Sequence, residues 1–373
     1  MDRNQNAEPS PHGPRPRPPR VIGAALVGWL CIAIPALGQM DLKVRPAPDF
    51  GTGDVWLDQG APVPHHISEY HGHVVLVDFW EYTCINCIRD FGVVKRWYGK
   101  YHQYGFDVIG VHYGEFSIGF NVDNVRAAAQ RFRLPWPVVA DQKGSTWKAY
   151  AADGWPNRYV VDQNGNIVMK VFGEFNDHEI EAKLRELLAA AHPEVMKIEA
   201  DPEENDLKPA CGVPTQETFV GEIYGRSAVE DMAGNHAGDE IDFVPPHSPP
   251  DGGVMLVGRW RVERDGVTSN GHGAAAELRY HGRSMYAVLS LKDAKPIRVK
   301  LFQDGLPMPK VGAGSDVKFD DKGAFLEVTD SRMYYLMRSP AYTAHLISLQ
   351  PDSAGLGLHS FTFGNNCQLE DHP

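Results

Sequence analysis

Two cysteines, Cys84 and Cys87, stand two residues apart in the sequence Cys-Ile-Asn-Cys. A thiol at the start of a helix lies near unpaired backbone N–H groups and the positive end of the helix dipole, which favour the reactive thiolate. With this spacing the second sulfur can attack a mixed disulfide formed between the first sulfur and a substrate. The pair therefore indicates thiol–disulfide exchange, with Cys84 as the nucleophile and Cys87 as the resolving thiol.

Cys-x-x-Cys pairs also occur in haem attachment and in zinc sites. Haem attachment needs a histidine directly after the second cysteine, and this position holds Ile88. A structural zinc site needs two further ligands, and the nearest histidines form no ligand-like pair: His65, His66, His71 and His73. We therefore expect no metal and no cofactor beyond a redox-active Cys84–Cys87 disulfide, with an inert disulfide as the alternative.

The elements around the pair predict an α/β fold. An apolar run from Val74 to Trp80 is typical of a strand buried on both faces. A helix-like stretch through Tyr98 follows the cysteines, and Phe106 to Val111 forms a second apolar strand, which completes a strand–helix–strand unit. Further elements are predicted as helices at 124–132, 147–150 and 179–191, a strand at 137–140, and an Asn-Gly hairpin of strands 158–161 and 167–172.

The second half of the chain has a different pattern. Residues 196–210 are acidic and polar and are predicted to be a linker. Beyond them, many short strands punctuated by Gly, Pro and Asp predict an all-β sandwich or jelly roll over residues 211–367. The predicted strands are 254–261, 275–280, 285–291, 297–302, 324–328, 333–337, 343–349 and 358–363.

The first residues resemble an export signal. An apolar run, Val21 to Leu37, follows three arginines: Arg15, Arg17 and Arg20. We predict a signal peptide over residues 1–38 and a periplasmic or other extracytoplasmic location, with an uncleaved N-terminal membrane anchor as the alternative. Cys31 lies inside the run and would leave with the signal, so four cysteines would remain in a compartment where disulfides persist.

The charge balance excludes one class of partner. The formal net charge of the 373 residues is -12. The chain therefore lacks the basic surface with which proteins bind phosphate backbones, and we expect no nucleic acid partner.

The stretch from Val75 to Cys84 resembles the strand that enters the active-site helix of thioredoxin folds, including an acid six residues before the first cysteine. This resemblance predicts a thioredoxin-like domain over residues 45–195 and makes Asp78 the proton acceptor for Cys87. Pro156 corresponds to the cis-proline of that fold, and the Trp155 backbone would pair with an extended substrate peptide. Two further side chains are expected to contact substrate: Trp80 and Tyr82.

A closer resemblance is to the extracytoplasmic part of DipZ-type cytochrome c biogenesis proteins. It rests on residues 79–89, 110–116 and 155–159 in the first domain and, more loosely, on 217–221 and 359–364 in the second. The resemblance implies that the second domain is similar to carbohydrate-binding modules. It also implies an exported thiol–disulfide oxidoreductase that reduces disulfide-containing proteins such as apocytochromes c.

The chain departs from this family in two ways. The family's full-length form carries a multi-helix membrane domain that delivers electrons, so we expect a separate membrane electron donor. Glu81 stands where the family usually has a small or hydroxylated residue, and a carboxylate near Cys84 would disfavour its thiolate.

Two other functions remain as alternatives. One is a thiol peroxidase, although Cys84 lacks a surrounding Pro-x-x-x-Thr-x-x-Cys pattern. The other is an envelope glycan-binding protein, with six aromatic residues as candidates for a sugar platform, although strand alternation places most of them in the core: Trp260, Tyr280, Tyr286, Tyr334, Tyr335 and Tyr342.

We predict that Cys211 and Cys367, which open and close the second domain, form a structural disulfide, against two free thiols or an intermolecular bond. Domain ends often lie close together, and a bridge over such a long loop stabilises by about 4 to 5 kcal/mol in the chain-entropy model. A thiol titration under denaturing, non-reducing conditions tests this pairing. Finding both thiols free would contradict it.

Overall fold

The first half of the described chain is built on a seven-stranded mixed sheet. The computed structural model describes residues 44–57, 64–174, 176–202, 212–223, 235–244 and 248–364. The strands are β1 Arg45–Pro46, β2 Val55–Leu57, β3 Val74–Trp80, β4 Phe106–His112, β5 Val138–Ala140, β6 Asn157–Val161 and β7 Asn166–Phe172. Their order in the sheet is β1-β7-β6-β3-β4-β5-β2.

Four helices cover this sheet. They are α1 Ile85–Tyr101, α2 Val122–Arg131, α3 Ser145–Tyr150 and α4 Asp177–Ala189. Four short 3-10 turns accompany them: Ile67–Tyr70 precedes α1, Pro193–Lys197 follows α4, and His102–Tyr104 and Ser117–Phe120 lie between α1 and α2. The predicted βαβ and ββα order is confirmed, whereas the two short edge strands β1 and β2 were not predicted because two or three residues give no periodic pattern.

Strand β3 is the centre of the sheet. It pairs in parallel with β4 and antiparallel with β6, and all seven of its residues are buried. Side chains alternate between the two faces of a strand. Leu76 and Trp80 join the core cluster that includes α1, whereas Val75 and Val77 join the cluster on the opposite face. Asp78 therefore shares the face of Leu76 and Trp80, towards α1.

The hairpin between β6 and β7 forms as predicted. Asp162 Oδ1 accepts hydrogen bonds from the N–H groups of Asn164 and Asn166, at 3.0 and 2.8 Å. Gly165 has a φ of 79°, a left-handed conformation that glycine adopts without steric cost. The loop chemistry therefore fixes the register of the two strands.

The second half of the described chain is an all-β region with eleven strands. They are β8 Thr218–Phe219, β9 Glu240–Phe243, β10 Val254–Val262, β11 Val267–Ser269, β12 Ala275–Leu291, β13 Ile297–Gln303, β14 Leu306–Pro307, β15 Lys318–Asp320, β16 Gly323–Val328, β17 Arg332–Pro351 and β18 Leu356–Gly364. All belong to one hydrogen-bonded sheet, with main order β15-β16-β13-β17-β12-β10-β11-β18-β8.

This sheet closes on itself. Strand β12 pairs with β10 and β18, and β11 bridges those two strands, so the four form a closed circuit. Two predicted breaks are absent from the structure. The predicted strands 275–280 and 285–291 form the single strand β12, and 333–337 and 343–349 form the single strand β17. The pairing of β12 with β17 instead shifts register between Gly282 and Ser284 and again after Met285. A bulge, rather than a turn, therefore bends these strands.

The two regions share a hydrophobic core, and all described residues belong to one compact unit. The cluster that contains Tyr82 and Phe116 also contains four buried residues of the β region: Tyr286, Val288, Met333 and Tyr335. Asp265 of the β region accepts hydrogen bonds from the backbone N–H and the hydroxyl of Ser117. We call this contact the seam between the two regions.

The described start of the predicted linker lies against α1 and α4. Arg185 Nη1 donates to the carbonyl of Ile198 at 2.6 Å, and Asp201 forms ion pairs with Arg96 and Lys100. Residues 203–211 lie outside the described residues, so the domain boundaries remain predictions.

Three sequence predictions lie outside the described residues: the signal segment 1–38, Cys211 and Cys367. Within the described ranges, no helix combines the length and apolar character needed to cross a membrane.

Phe116 allows the contribution of the seam to stability to be measured. Its ring is fully buried, 6.1 Å from the ring of Phe219 and 5.3 Å from that of His359. We expect Phe116→Ala to lower the free energy of unfolding by about 3 to 5 kcal/mol, because it leaves a cavity. Phe172→Ala, in which the removed ring is 59% exposed, is the matched control and should cost much less. Equal losses in urea denaturation would contradict a stabilising seam.

Candidate active site

The redox pair lies at the junction of β3 and α1. Cys84 is the N-cap residue of α1, and its sulfur accepts a hydrogen bond from the backbone N–H of Cys87, at 3.4 Å. Cys84 is half-buried, Cys87 is 1% exposed, and the two are unbridged. The structure thus presents one reachable thiol, stabilised by the helix start, and one protected thiol behind it.

The environment of Cys87 favours its neutral form. Burial raises the pKa of the Cys87 thiol well above its ordinary value, and the neighbouring Cys84 sulfur and Asp78 add to this effect. The backbone N–H of Glu81 contacts the Cys87 sulfur and acts in the opposite direction. For Cys87 to become a nucleophile, a nearby group must accept its proton.

Asp78 lies within electrostatic range of Cys87 and is 1% exposed. Burial raises the pKa of Asp78 to about 6, although the positive charge of Arg158 lowers it. A carboxyl group that titrates near neutral pH can both accept and return a proton. The position and environment of Asp78 thus suit the predicted role as proton acceptor.

Arg158 and Asp90 also lie on this side of the sheet, and the sequence reasoning missed both. Arg158 is the register partner of Asp78 and is fully buried, with its Nη1 2.6 Å from Asp177 and 3.4 Å from Asp90. Burial raises the pKa of Asp90 well above its ordinary value. A signal was present, since Asp90 follows Cys87 by three residues, on the same helix face, and Arg158 directly precedes the apolar residues Tyr159 to Val161.

The Trp155–Pro156 peptide bond is cis, as predicted. Pro156 is buried, and its carbonyl accepts the N–H of Gly173 at 2.8 Å. Trp155 is half-buried and its ring lies 4.8 Å from Trp147 and 6.3 Å from Tyr113. Three aromatic rings thus lie together next to the proline. Substrate binding by Trp155 stays a prediction.

Trp80 and Tyr82, the other predicted substrate contacts, are core residues. Both are 0% exposed, and the Tyr82 hydroxyl donates to the carbonyl of Ile118 at 2.9 Å. With no accessible surface, neither ring can lie against a docked peptide in this structure. Their position supports a packing role beneath the redox turn.

Glu81, the residue that departs from the family pattern, is fully buried. Its side chain accepts hydrogen bonds from the backbone N–H and the hydroxyl of Thr83. Its other carboxyl oxygen lies 3.5 Å from Nε2 of His112. His112 ends the apolar strand β4, and its burial could not be recognised from the sequence alone.

Acidic groups from both regions meet near this point. Burial raises the pKa of Glu115 to about 8, and Glu217 and Glu81 add to the effect. Glu217 belongs to the β region, where it accepts the hydroxyl of Thr362 at 2.8 Å. The β region therefore contributes to the electrostatics behind the redox turn.

Neither a metal site nor a sugar platform is evident in the part of the chain that the structure describes. No group of three or more His, Cys, Asp or Glu side chains there could hold a metal ion. Among the six aromatic candidates for sugar binding, only Tyr342, at 37%, has substantial exposure, and the other five are core residues: Trp260, Tyr280, Tyr286, Tyr334 and Tyr335.

Comparison with known proteins agrees with this architecture. Residues 45–170 match the AhpC/TSA family model, and residues 215–364 match the model described as thioredoxin like C-terminal domain. Residues 45–170 are thioredoxin-like. The all-β region that follows is the kind of C-terminal domain found with thioredoxin-like domains, so the predicted fold class is confirmed.

The resemblance to DipZ is also confirmed. The chain is 33% identical to protein DipZ of Mycobacterium bovis over 260 residues, which cover 67% of this chain and 37% of DipZ. It is 28% identical over 141 residues to the thiol-disulfide oxidoreductase ResA of Geobacillus thermodenitrificans, covering 38% of this chain and 75% of ResA. A crystal structure of a thiol:disulfide interchange protein DsbE from Chlorobium tepidum aligns with this chain at 24% sequence identity and a TM-score of 0.34. The alignment covers 39% of this chain and 96% of the DsbE chain. The chain thus spans little more than a third of DipZ.

The environment of Asp78 predicts a pH-dependent stability. Below pH 3.8 the Asp78 carboxyl group is protonated in both the folded and the unfolded protein. Between pH 3.8 and about 6 it ionises in the unfolded chain but stays protonated in the folded protein, so the folded state loses stability as the pH rises. At about 1.36 kcal/mol per pH unit, the free energy of unfolding above pH 6 is lower by about 3 kcal/mol because of this carboxyl group. Asp78→Asn should therefore raise the free energy of unfolding by about this amount at pH 8.

The same substitution should have little effect at pH 3.5, where Asp78 is already neutral in both states. Asp293→Asn, at an exposed loop position, is the matched control and should have a small effect at both pH values. Denaturant titrations measure all four differences. An effect of Asp78→Asn that does not change with pH would contradict the raised pKa.

Proposed function

We propose that this protein is a thiol–disulfide oxidoreductase that reduces protein disulfides through Cys84 and Cys87. The observation that carries the proposal is the asymmetry of the pair. The Cys84 sulfur is reachable and accepts the helix N–H of Cys87, whereas Cys87 is buried within electrostatic range of Asp78. The relative ResA is named a thiol-disulfide oxidoreductase, which supports the same activity.

The reaction follows from this geometry. The Cys84 thiolate attacks a substrate disulfide, which forms a Cys84–substrate bond and releases one substrate sulfur as a thiolate that takes up a proton. Cys87 transfers its proton to Asp78, and its sulfur attacks Cys84. The Cys84–Cys87 disulfide forms, and the second substrate sulfur leaves as a thiolate that takes up the proton held by Asp78. The substrate gains two electrons, and the protein pair loses two, so no added cofactor is required.

The physiological setting forms part of the proposal. The predicted signal segment supports export, and the resemblance to DipZ supports disulfide-containing proteins such as apocytochromes c as substrates. Each turnover leaves the pair oxidised, so a reductant must restore it, and we propose a separate membrane electron donor. The aromatic residues of the β region are mostly in its core, so we propose no glycan ligand.

Replacement of each cysteine in turn tests the activity. Cys84→Ser removes the nucleophile and should abolish reduction of insulin disulfides. Cys87→Ser keeps the nucleophile but not the resolving thiol, so it should trap a mixed disulfide between Cys84 and the substrate. Mass spectrometry under non-reducing conditions detects that adduct. Full reductase activity of Cys84→Ser would contradict the assignment.

A further inference from the structure

A tight loop, residues 113–120, lies between β4 and α2, and we call it the β4–α2 loop. Glycines hold its two ends together: a Cβ added to Gly119 would lie 2.7 Å from the Cα of Gly114, closer than unbonded carbon atoms approach each other. The rings of Tyr113 and Phe120, which flank these glycines, lie 5.3 Å apart, edge to face. These two rings therefore form the base of the loop, and the residues between the glycines form its tip.

The base of the loop belongs to a group of aromatic rings. Tyr113 stacks on Trp147 with 4.9 Å between ring centres, and Trp147 lies 4.8 Å from Trp155, which precedes the cis-proline Pro156. We call Tyr113, Phe120, Trp147 and Trp155 the aromatic cluster. Each of the four is half-buried. An apolar surface that stays partly exposed in a folded protein is suited to binding apolar groups.

The aromatic cluster and the redox pair lie at the same edge of the sheet. Strands β3 and β4 end side by side, since Trp80 pairs with His112, and β6 begins beside the end of β3. Cys84 follows β3, Tyr113 follows β4 and Trp155 precedes β6. A polypeptide that brings a disulfide to Cys84 therefore approaches the edge that carries the aromatic cluster.

The tip of the loop lies against the β region. Asp265, in the turn between β10 and β11, accepts hydrogen bonds from the backbone N–H of Ser117 and from its hydroxyl, the latter at 3.2 Å. The neighbouring Phe116 is fully buried and packs against Phe219 and His359. Asp265 is 8% exposed, so little solvent competes for its bonds to the loop.

Asp265 is also held within the β region itself. Its backbone carbonyl, which can only accept, receives a hydrogen bond from Nδ1 of His359 at 2.8 Å. Nε2 of the same ring lies 2.9 Å from the hydroxyl of Ser290. Strands β18 and β12 thus fix the residue that binds the tip of the loop.

We propose that Asp265 is a positioning residue for substrate binding: it holds the tip of the β4–α2 loop and thereby keeps Tyr113 in the aromatic cluster. The aromatic cluster binds an apolar segment of the protein substrate while Cys84 attacks its disulfide. The glycine contact couples tip and base, because it leaves the short loop no room to shift at one end alone. This inference rests on the proposed oxidoreductase function.

Kinetics with a large and a small disulfide test this role. Asp265→Ala removes both bonds to Ser117, so we expect the KM for insulin, with dithiothreitol as the reductant, to rise by about tenfold while kcat stays within about twofold. The rate with hydroxyethyl disulfide, which has no polypeptide segment to occupy the aromatic cluster, should also stay within about twofold. Asp242→Ala, at an exposed position of β9, is the matched control.

Ser117→Pro tests the same contact from the side of the loop. Proline has neither an N–H nor a hydroxyl, so both bonds are lost while the β region is unchanged. Ser117 is the first residue of its 3-10 turn, and Phe116 has φ -104° and ψ 162°, an extended conformation that suits a residue before proline. Ser117→Pro should therefore raise the KM for insulin as Asp265→Ala does, and it provides the test if Asp265→Ala does not fold.

A double-mutant cycle tests whether Asp265 acts through Tyr113. Tyr113→Ala removes the ring at the base of the loop and should raise the KM for insulin by itself. In the double variant, Asp265→Ala should add less than about a twofold increase, because the ring that Asp265 positions is already absent. Two increases that multiply in full would show independent actions and would overturn the proposal.

Two other results would also overturn it. One is an unchanged KM for insulin in Ser117→Pro and in Asp265→Ala. The other is an equal loss of activity with hydroxyethyl disulfide, since the contact would then act on the redox pair and not on substrate binding. All these results compare variants with an unmodified protein that reduces insulin. The proposed function fails in a different way, if Cys84→Ser keeps full activity or the unmodified protein reduces no insulin, and the inference then fails with it.

Discussion

The passage from strand β3 into helix α1 is the constraint on which the redox site depends. β3 is buried along its whole length and hydrogen-bonded to strands on both sides, so the chain leaves the sheet at one defined point. Cys84 then occupies the N-cap of α1, where a helix has unpaired N–H groups. One turn of backbone thus exposes the first thiol, stabilises its sulfur and buries the second.

Burial at this passage also controls the ionisable groups. Asp78, Asp90 and Arg158 share the α1 side of the sheet, and the guanidinium of Arg158 lies close to Asp90 and Asp177. Burial opposes ionisation of both Asp78 and Cys87. Glu81 and His112 occupy the neighbouring interior, beneath the turn itself.

The β region forms part of this environment, because it packs against the thioredoxin-like region in addition to being joined to it by the linker. Its buried side chains complete the core around Tyr82 and Phe116, and Asp265 binds Ser117. The segment after β4 thus contacts the redox turn through Tyr82 on one side and the β region on the other. Strand β18 pairs with β12 in the closed part of the β sheet, and its residue His359 packs against the ring of Phe116 in this segment.

The sequence by itself determined the elements whose signals are local: the apolar strand β3, the helix that starts at the cysteines, β4 and the Asn-Gly hairpin. The spacing of Cys84 and Cys87 also predicted a redox pair, and the resemblance to thioredoxin folds pointed to Asp78. Strands β1 and β2 were too short to give a pattern, and the bulge in β12 looked like a turn because a glycine signals either one.

Only the tertiary structure decided which polar groups are buried together. Glu81 and His112 are 31 positions apart and meet because β3 and β4 run side by side, and Arg158 reaches Asp78 through the register of β6. Tertiary structure likewise made Trp80 and Tyr82 core residues and joined Phe116 to the β region. A sequence pattern records which residues alternate or repeat, whereas burial and charge pairing depend on which distant segments the sheet brings together.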